Sequence, residues 1–213
     1  MRIQGTARLI HDRSIVLLIL LAVAVFFLII TPGPGVLSVA GVGAAFGYKS
    51  GVRYILGLCL GTNLVALAVV TGLATIVLSN SFLRLVLMLC SSSYLLFLAY
   101  RIATQGADIS FSKSARKPGI LAGILLQLVN PKAYAVNTAM YTAFLIYPNS
   151  LVLEIGIKFV IMNLIWFPIH LFWLFLGVYL KSLNLSSKHQ SNVNLLMACA
   201  LVIVVILAVF SSF

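Results

Sequence analysis

The chain has 213 residues, 62% of them hydrophobic and 8% charged, with 14 Lys and Arg against 3 Asp and Glu. A soluble domain carries about 25% charged residues, so this composition excludes an ordinary water-soluble fold and calls for lipid as its solvent. The high isoelectric point does not indicate a nucleic-acid binder, because the basic residues punctuate apolar runs as positive-inside loops do.

Residues 1–13 read as a short N-terminal tail. The apolar run that follows is longer than the roughly 7–15 residues of a signal-peptide core, and five more apolar segments come after it. It is therefore expected to be a retained first helix. Span one covers residues 14–48 without a charge. At about 1.5 Å per residue it would reach roughly 50 Å, far beyond a hydrocarbon core of about 30 Å. Pro32 and Pro34 mark where it should bend. Span two covers 54–78 and ends at Ser79-Asn80-Ser81. Span three covers 83–100, with Arg84 and Arg101 able to snorkel at its ends. Span four covers 118–147 and is interrupted at Pro131. Span five covers 155–180 and span six 193–213.

Two halves follow, 14–103 and 118–213, joined by a basic cytoplasmic loop at 104–117. Three spans per half is an odd number, so related halves must be inverted in the membrane. The expected fold is an all-α integral membrane protein. Its six transmembrane helices form two inverted three-helix repeats, with helices 1 and 4 broken. The loops after spans one, three and five hold eight basic residues: Lys49, Arg53, Arg101, Lys113, Arg116, Lys117, Lys181 and Lys188. The opposite loops hold Arg84 and Lys158. The positive-inside rule puts the richer loops in the cytoplasm and both termini outside, although Arg2, Arg8 and Arg13 in the tail pull the other way.

The breaks are Thr31-Pro32-Gly33-Pro34-Gly35 and Asn130-Pro131-Lys132. Lipid cannot satisfy freed backbone groups, so such breaks survive only inside protein or beside a wet cavity. Paired breaks in two halves point to a substrate site near the midplane. Pro32, Pro34 and Pro131 explain the interrupted ladders. Thr31, Gly33, Pro34 and Gly35 open a half-helix whose N–H groups suit a carboxylate. Lys132 lies deep in span four, where an unpaired charge costs several kcal/mol. Its expected roles are attracting a substrate carboxylate or docking on carbonyls freed by the opposite break. Gln127, Asn130, Tyr134, Asn137 and Tyr141 recur at helical spacing as a polar stripe, expected to face a partner helix or a cavity.

Thr62, Asn63 and Asn163 complete the candidate binding set. His170, one turn from Trp166, reads as a helix-to-helix hydrogen bond ahead of a proton relay. The acidic residues Asp12, Asp108 and Glu154 read as tail or loop residues. That leaves no clustered ligands for a metal and no carboxylate deep in the membrane. Cys59, Cys90 and Cys199 are scattered through apolar runs as small hydrophobes. Gly43, Gly47 and Gly51, Gly57 with Gly61, and Gly119 with Gly123 have the spacing of close helix contacts. Internal packing is the first reading, and a homodimer the second. No cofactor is expected, and the partners expected are a small-molecule substrate and the bilayer.

The Pro-Gly-Pro at 32–34, Gly57-xxx-Gly61, the run Ser93-Tyr94-Leu95-Leu96-Phe97-Leu98-Ala99 and Asn130-Pro131-Lys132-Ala133 together resemble the LysE/RhtB amino-acid exporter family. The resemblance implies a secondary transporter exporting amino acids or close analogues across a bacterial inner membrane, driven by an ion gradient, and not an enzyme. Two positions depart from the usual pattern. Gly35 stands where many members have Asn, and Thr62 where many have Asp. Without that acid the resemblance favours neutral or zwitterionic substrates over lysine-like cations. The alternatives are a metal-ion exporter or a membrane redox protein on a related six-helix fold. The first lacks acidic ligands and the second lacks paired thiols.

Overall fold

A computed structural model describes residues 2–31, 33–72, 80–104, 117–142, 144–147, 149–183 and 187–210. All regular structure among them is helical. The elements are α1 (Arg2–Ile30), α2 (Pro34–Phe46), α3 (Tyr48–Val70), α4 (Ser81–Thr104), α5 (Ile120–Val129), α6 (Pro131–Thr142), α7 (Leu151–Ser182) and α8 (Ser187–Phe210). By length and composition, three stretches among the described residues can cross a membrane: Arg13–Ile30, Tyr48–Val70 and Leu151–Leu180. Many large apolar side chains point outward, Phe27, Leu164 and Leu196 among them, as a lipid-facing surface requires.

Both expected breaks are present. α1 stops at Ile30 and α2 starts at Pro34, with Gly33 extended between them at φ −160° and ψ 177°. α5 stops at Val129, and Asn130 is extended at φ −80° and ψ 107° before Pro131 starts α6. Extended backbone is what a residue preceding proline favours. Pro32 lies outside the described residues, as do most of the 104–117 loop and residues 73–79 at the end of the expected second span.

Several boundaries differ from expectation. Residues 2–13 are helical and run on into the rest of α1, with no proline to interrupt the chain before Pro32. α3 begins at Tyr48, just after Gly47 at φ +79°. That turn separates Gly43 from Gly51, so the three glycines do not share one helix face. α7 begins at Leu151, where the Ser150 hydroxyl accepts from the Leu153 amide at 3.4 Å. This cap brings Glu154 and Lys158 into the helix as an i,i+4 ion pair of 2.8 Å, with both side chains buried. Neither is a loop residue. Pro168 lies inside α7 without ending it.

The core gathers Leu21, Val39, Tyr54, Leu58, Leu98 and Leu174, with Leu201 of α8. Glycines bring the backbones of α3 and α5 together. A Cβ on Gly57 would collide with the Ile120 carbonyl, and one on Gly123 with the Tyr54 carbonyl. A Cβ on Gly61 would stand 2.9 Å from the Ile124 oxygen. α2 and α7 meet the same way, with Gly177 under the Ala40 carbonyl and Gly43 against Leu174, while Gly51 of α3 packs on the Leu174 side chain. These glycines serve packing within the chain, which takes them away from a dimer face. Gly119 has nothing within 4 Å. The close contacts lie on the side of the breaks that carries Lys49, Lys117 and Lys181.

Candidate substrate chamber at the paired breaks

The second break accounts for its backbone groups locally. In an unbroken helix the Lys132 amide would bond the Leu128 carbonyl. Here it donates to Asn130 Oδ1 at 3.1 Å, which caps α6. The Leu128 carbonyl instead accepts from the Tyr134 hydroxyl at 2.9 Å. The Asn130 amide donates to the Gln127 carbonyl at 3.2 Å, and the Ala133 amide to the Asn130 carbonyl at 3.0 Å. Asn130 Nδ2 donates to Gln127 Oε1 at 2.8 Å, and both side chains are buried. The break is thus a built feature whose polar groups find partners.

Lys132 then joins the two breaks. Its ammonium donates to the Thr31 carbonyl at 2.8 Å and to Thr31 Oγ1 at 2.9 Å. The Thr31 hydroxyl in turn donates to the Leu28 carbonyl at 2.7 Å. The Lys132 stem crosses Gly33 so closely that a Cβ there would lie 2.8 Å from Cδ. Gly33 is needed here for the space it leaves. Two of the three ammonium protons are used, so one direction is left for a further acceptor.

Beside this junction lies a cavity that is partly open. Thr31, Gly33, Gly35, Thr62, Asn130, Lys132 and Asn137 of the expected set line it, joined by Gln127, Trp166 and His170. No Asp or Glu stands among the described lining residues. Leu28, Val136 and Met162 extend the lining from the breaks toward α1 and α6, while the glycine contacts close the opposite side. Thr31 and Pro131 are exposed at its rim. α2 has 13 residues and α5 has 10 between the breaks and the basic side. At about 1.5 Å per residue these helices separate the breaks from the basic side by roughly 15–20 Å.

Other expected residues are placed differently. Pro34 is buried at the start of α2 and does not line the chamber. Tyr134 faces Val65 and caps Leu128, also off the chamber. The polar stripe is therefore shared out, with Gln127, Asn130 and Asn137 on the chamber and Tyr141 on a smaller adjoining pocket. Asn63 and Asn163 bond each other. Each Nδ2 donates to the other's Oδ1 at 3.0 Å, and each also donates to its own i−4 carbonyl, Cys59 or Phe159, at 2.9 Å. They border the same small pocket. Cys59 Sγ sits beneath this pair, 3.5 Å from Asn63 Nδ2, which gives that cysteine a packing role.

His170 is the residue the sequence reading placed least well. It makes no helix-to-helix bond. Nδ1 pairs with the Trp166 carbonyl in its own helix at 2.8 Å, and the ring stacks on Trp166 with centroids 3.5 Å apart. The i−4 spacing and the coincidence with Pro168 were the available signals. What the linear chain did not show was that α7 turns this ring toward Gly35 of the first break.

No curated protein and no solved structure matches the chain. The family model of the LysE type translocator matches residues 5–212, essentially the whole chain, and the protein belongs to that family of membrane transporters.

Proposed function

We propose that this protein is a secondary-active exporter of neutral or zwitterionic amino acids or close analogues. It works in a bacterial inner membrane as six spans in two inverted three-helix repeats, with both termini periplasmic. The observation that carries this reading is the chamber where two helix breaks meet and a lysine ammonium with a spare donor faces a cavity with no carboxylate among its described lining residues. An ammonium there attracts a substrate carboxylate, and the missing acid disfavours a dicationic substrate. The six spans are α1 with α2, α3, α4, α5 with α6, α7 and α8. The Asn63–Asn163 pair supports inverted repeats. The two residues are 100 apart and bond each other reciprocally, each from its own half, while Thr31 and Lys132, 101 apart, join the two breaks.

The function is tested by loading cells with dipeptides, with and without the protein, and measuring amino acids in the medium. Faster efflux of one or more neutral amino acids is expected, and unchanged efflux across the whole panel overturns the reading. Orientation is tested separately, in protein whose Cys59, Cys90 and Cys199 are replaced by Ser. A membrane-impermeant maleimide should label Asn149→Cys in intact cells and spare Lys117→Cys; the reverse pattern would invert the topology.

A further inference from the structure

We infer that His170 is the residue that holds the amino group of the substrate, so that the chamber reads a zwitterion at two points: carboxylate at Lys132, ammonium at His170 Nε2. This rests on the proposed transport of amino acids. A carbonyl oxygen can only accept a hydrogen bond, so Nδ1, 2.8 Å from the Trp166 carbonyl, carries a proton. A second proton would set His170 and the Lys132 ammonium as two cations in one chamber whose described lining has no carboxylate. Nε2 is therefore a lone-pair acceptor. The ring is 3% exposed and lines the chamber. Among the described residues no donor meets Nε2.

Nε2 stands at the chamber wall, so its hydrogen-bond partner comes from what the chamber holds, and the ammonium of the cargo is a donor for it. The place is also marked by Gly35. A Cβ there would stand 3.4 Å from His170 Nε2 and 3.9 Å from Gln127 Oε1. Two acceptor atoms thus flank one small space kept open by glycine. Gln127 Oε1 already accepts from Asn130 Nδ2 and has a second lone pair to offer. An ammonium entering there meets neutral acceptors in place of an acid, and Trp166 stacked behind the imidazole holds the ring in position. This arrangement does the work that an acid at Thr62 would otherwise do.

The test uses purified full-length protein in detergent and three probes of one skeleton: leucine, 4-methylpentanoate without the amino group, and 3-methylbutylamine without the carboxylate. Unaltered protein should bind leucine about tenfold or more tighter than 4-methylpentanoate, the scale of a hydrogen bond to a charged group. His170→Leu should bring those two within about threefold while still preferring both to the amine. His170→Gln, which keeps an acceptor, should retain most of the preference. Gly35→Ala, whose methyl would cover Nε2 without displacing backbone, should reduce it. An unchanged leucine preference in His170→Leu and Gly35→Ala overturns the assignment of His170 and leaves the transport reading standing. Failure of the unaltered protein to bind leucine or any other neutral amino acid overturns the transport reading and the assignment together.

Discussion

The two sides of the helix breaks are held by different forces. On the basic side, α2 meets α7 and α3 meets α5 through glycines, backbone against backbone. On the other side the cavity separates the helices, and the joins are polar. Lys132 reaches Thr31 across the break, and Glu154 holds Lys158 and the turn before α7. Glycine packing depends on many short dispersion contacts and tolerates no added atom. A polar join depends on a few donors and acceptors, and at the exposed Lys132–Thr31 contact a substrate or water can replace them. The contrast teaches that the chamber has a firmly packed floor and an exchangeable rim, as a binding site reached from one side requires.

Among the polar joins the largest single effect is expected at Glu154. Its carboxylate accepts from the Ile146 and Tyr147 amides and from Lys158, and Lys158 also donates to the Tyr141 carbonyl at 3.1 Å. Glu154→Leu leaves a buried ammonium without its counter-ion. A loss of about 3–5 kcal/mol is expected, visible as a sharp fall in membrane-inserted protein and in detergent melting temperature. The double change Glu154→Leu with Lys158→Met should recover much of it. A single variant as stable as the parent would mean that the clasp is not what secures this rim.

The floor is probed by matched glycine changes. Gly123→Ala puts a methyl into the α3 backbone and should cost about 1–3 kcal/mol by overpacking. Gly119→Ala, in open space at the N-cap of α5 four residues earlier, should cost no more than about 0.5–1 kcal/mol, because alanine caps less well than glycine but meets nothing. Equal melting temperatures for the two would contradict the close α3–α5 contact.

Lys132→Met removes the ammonium and keeps the stem. It should insert as well as the parent, since a charge at that depth is costly, yet export should fall tenfold or more. Lys132→Arg should restore only part, because a planar fork does not replace a compact ammonium at Thr31. Protein in the membrane is quantified before rates are compared. Full export by Lys132→Met would move carboxylate binding to the Gly33–Gly35 backbone.

Much of this was legible in the chain because prolines and glycines act locally. Pro34 and Pro131 fixed both breaks within a residue or two, and Lys132 drew attention as a charge in an apolar run. The pairing partners were not legible in the same way. Glu154 and Lys158 have the i,i+4 spacing of a helical ion pair, but a helix start judged by hydropathy at residue 155 left Glu154 in a loop. The Ser150 cap, which moves that start to Leu151, was the missed signal. Tyr134 and Asn137 share α6, but the break brings the Leu128 carbonyl within reach of the Tyr134 hydroxyl and so gives that side chain another partner. The opposition of His170 to Gly35 depends on how α7 lies against α2, which no local pattern encodes.

The smallest effect expected is also the one that bears on how the halves relate. Asn63 and Asn163 give each other one hydrogen bond in each direction, and each keeps a second to its own helix. Replacing either by Leu strands the partner's acceptor oxygen beside the small pocket. Replacing both removes the need on both sides. The two changes should therefore be strongly non-additive, with a coupling of about 0.6–1.7 kcal/mol, the range found for hydrogen bonds between membrane helices. The double variant should be no less stable than the worse single one. Detergent melting of the parent, both singles and the double gives the cycle, and export rates measured on the same four proteins give a second one. If stability couples while export does not, the pair is a brace between α3 and α7. If export couples as well, the reciprocal bond lies where the two halves move against each other, as a contact on an inverted-repeat axis should. Simple additivity in both would show that the two asparagines act independently, and would remove the reciprocal pair from the case for inverted repeats.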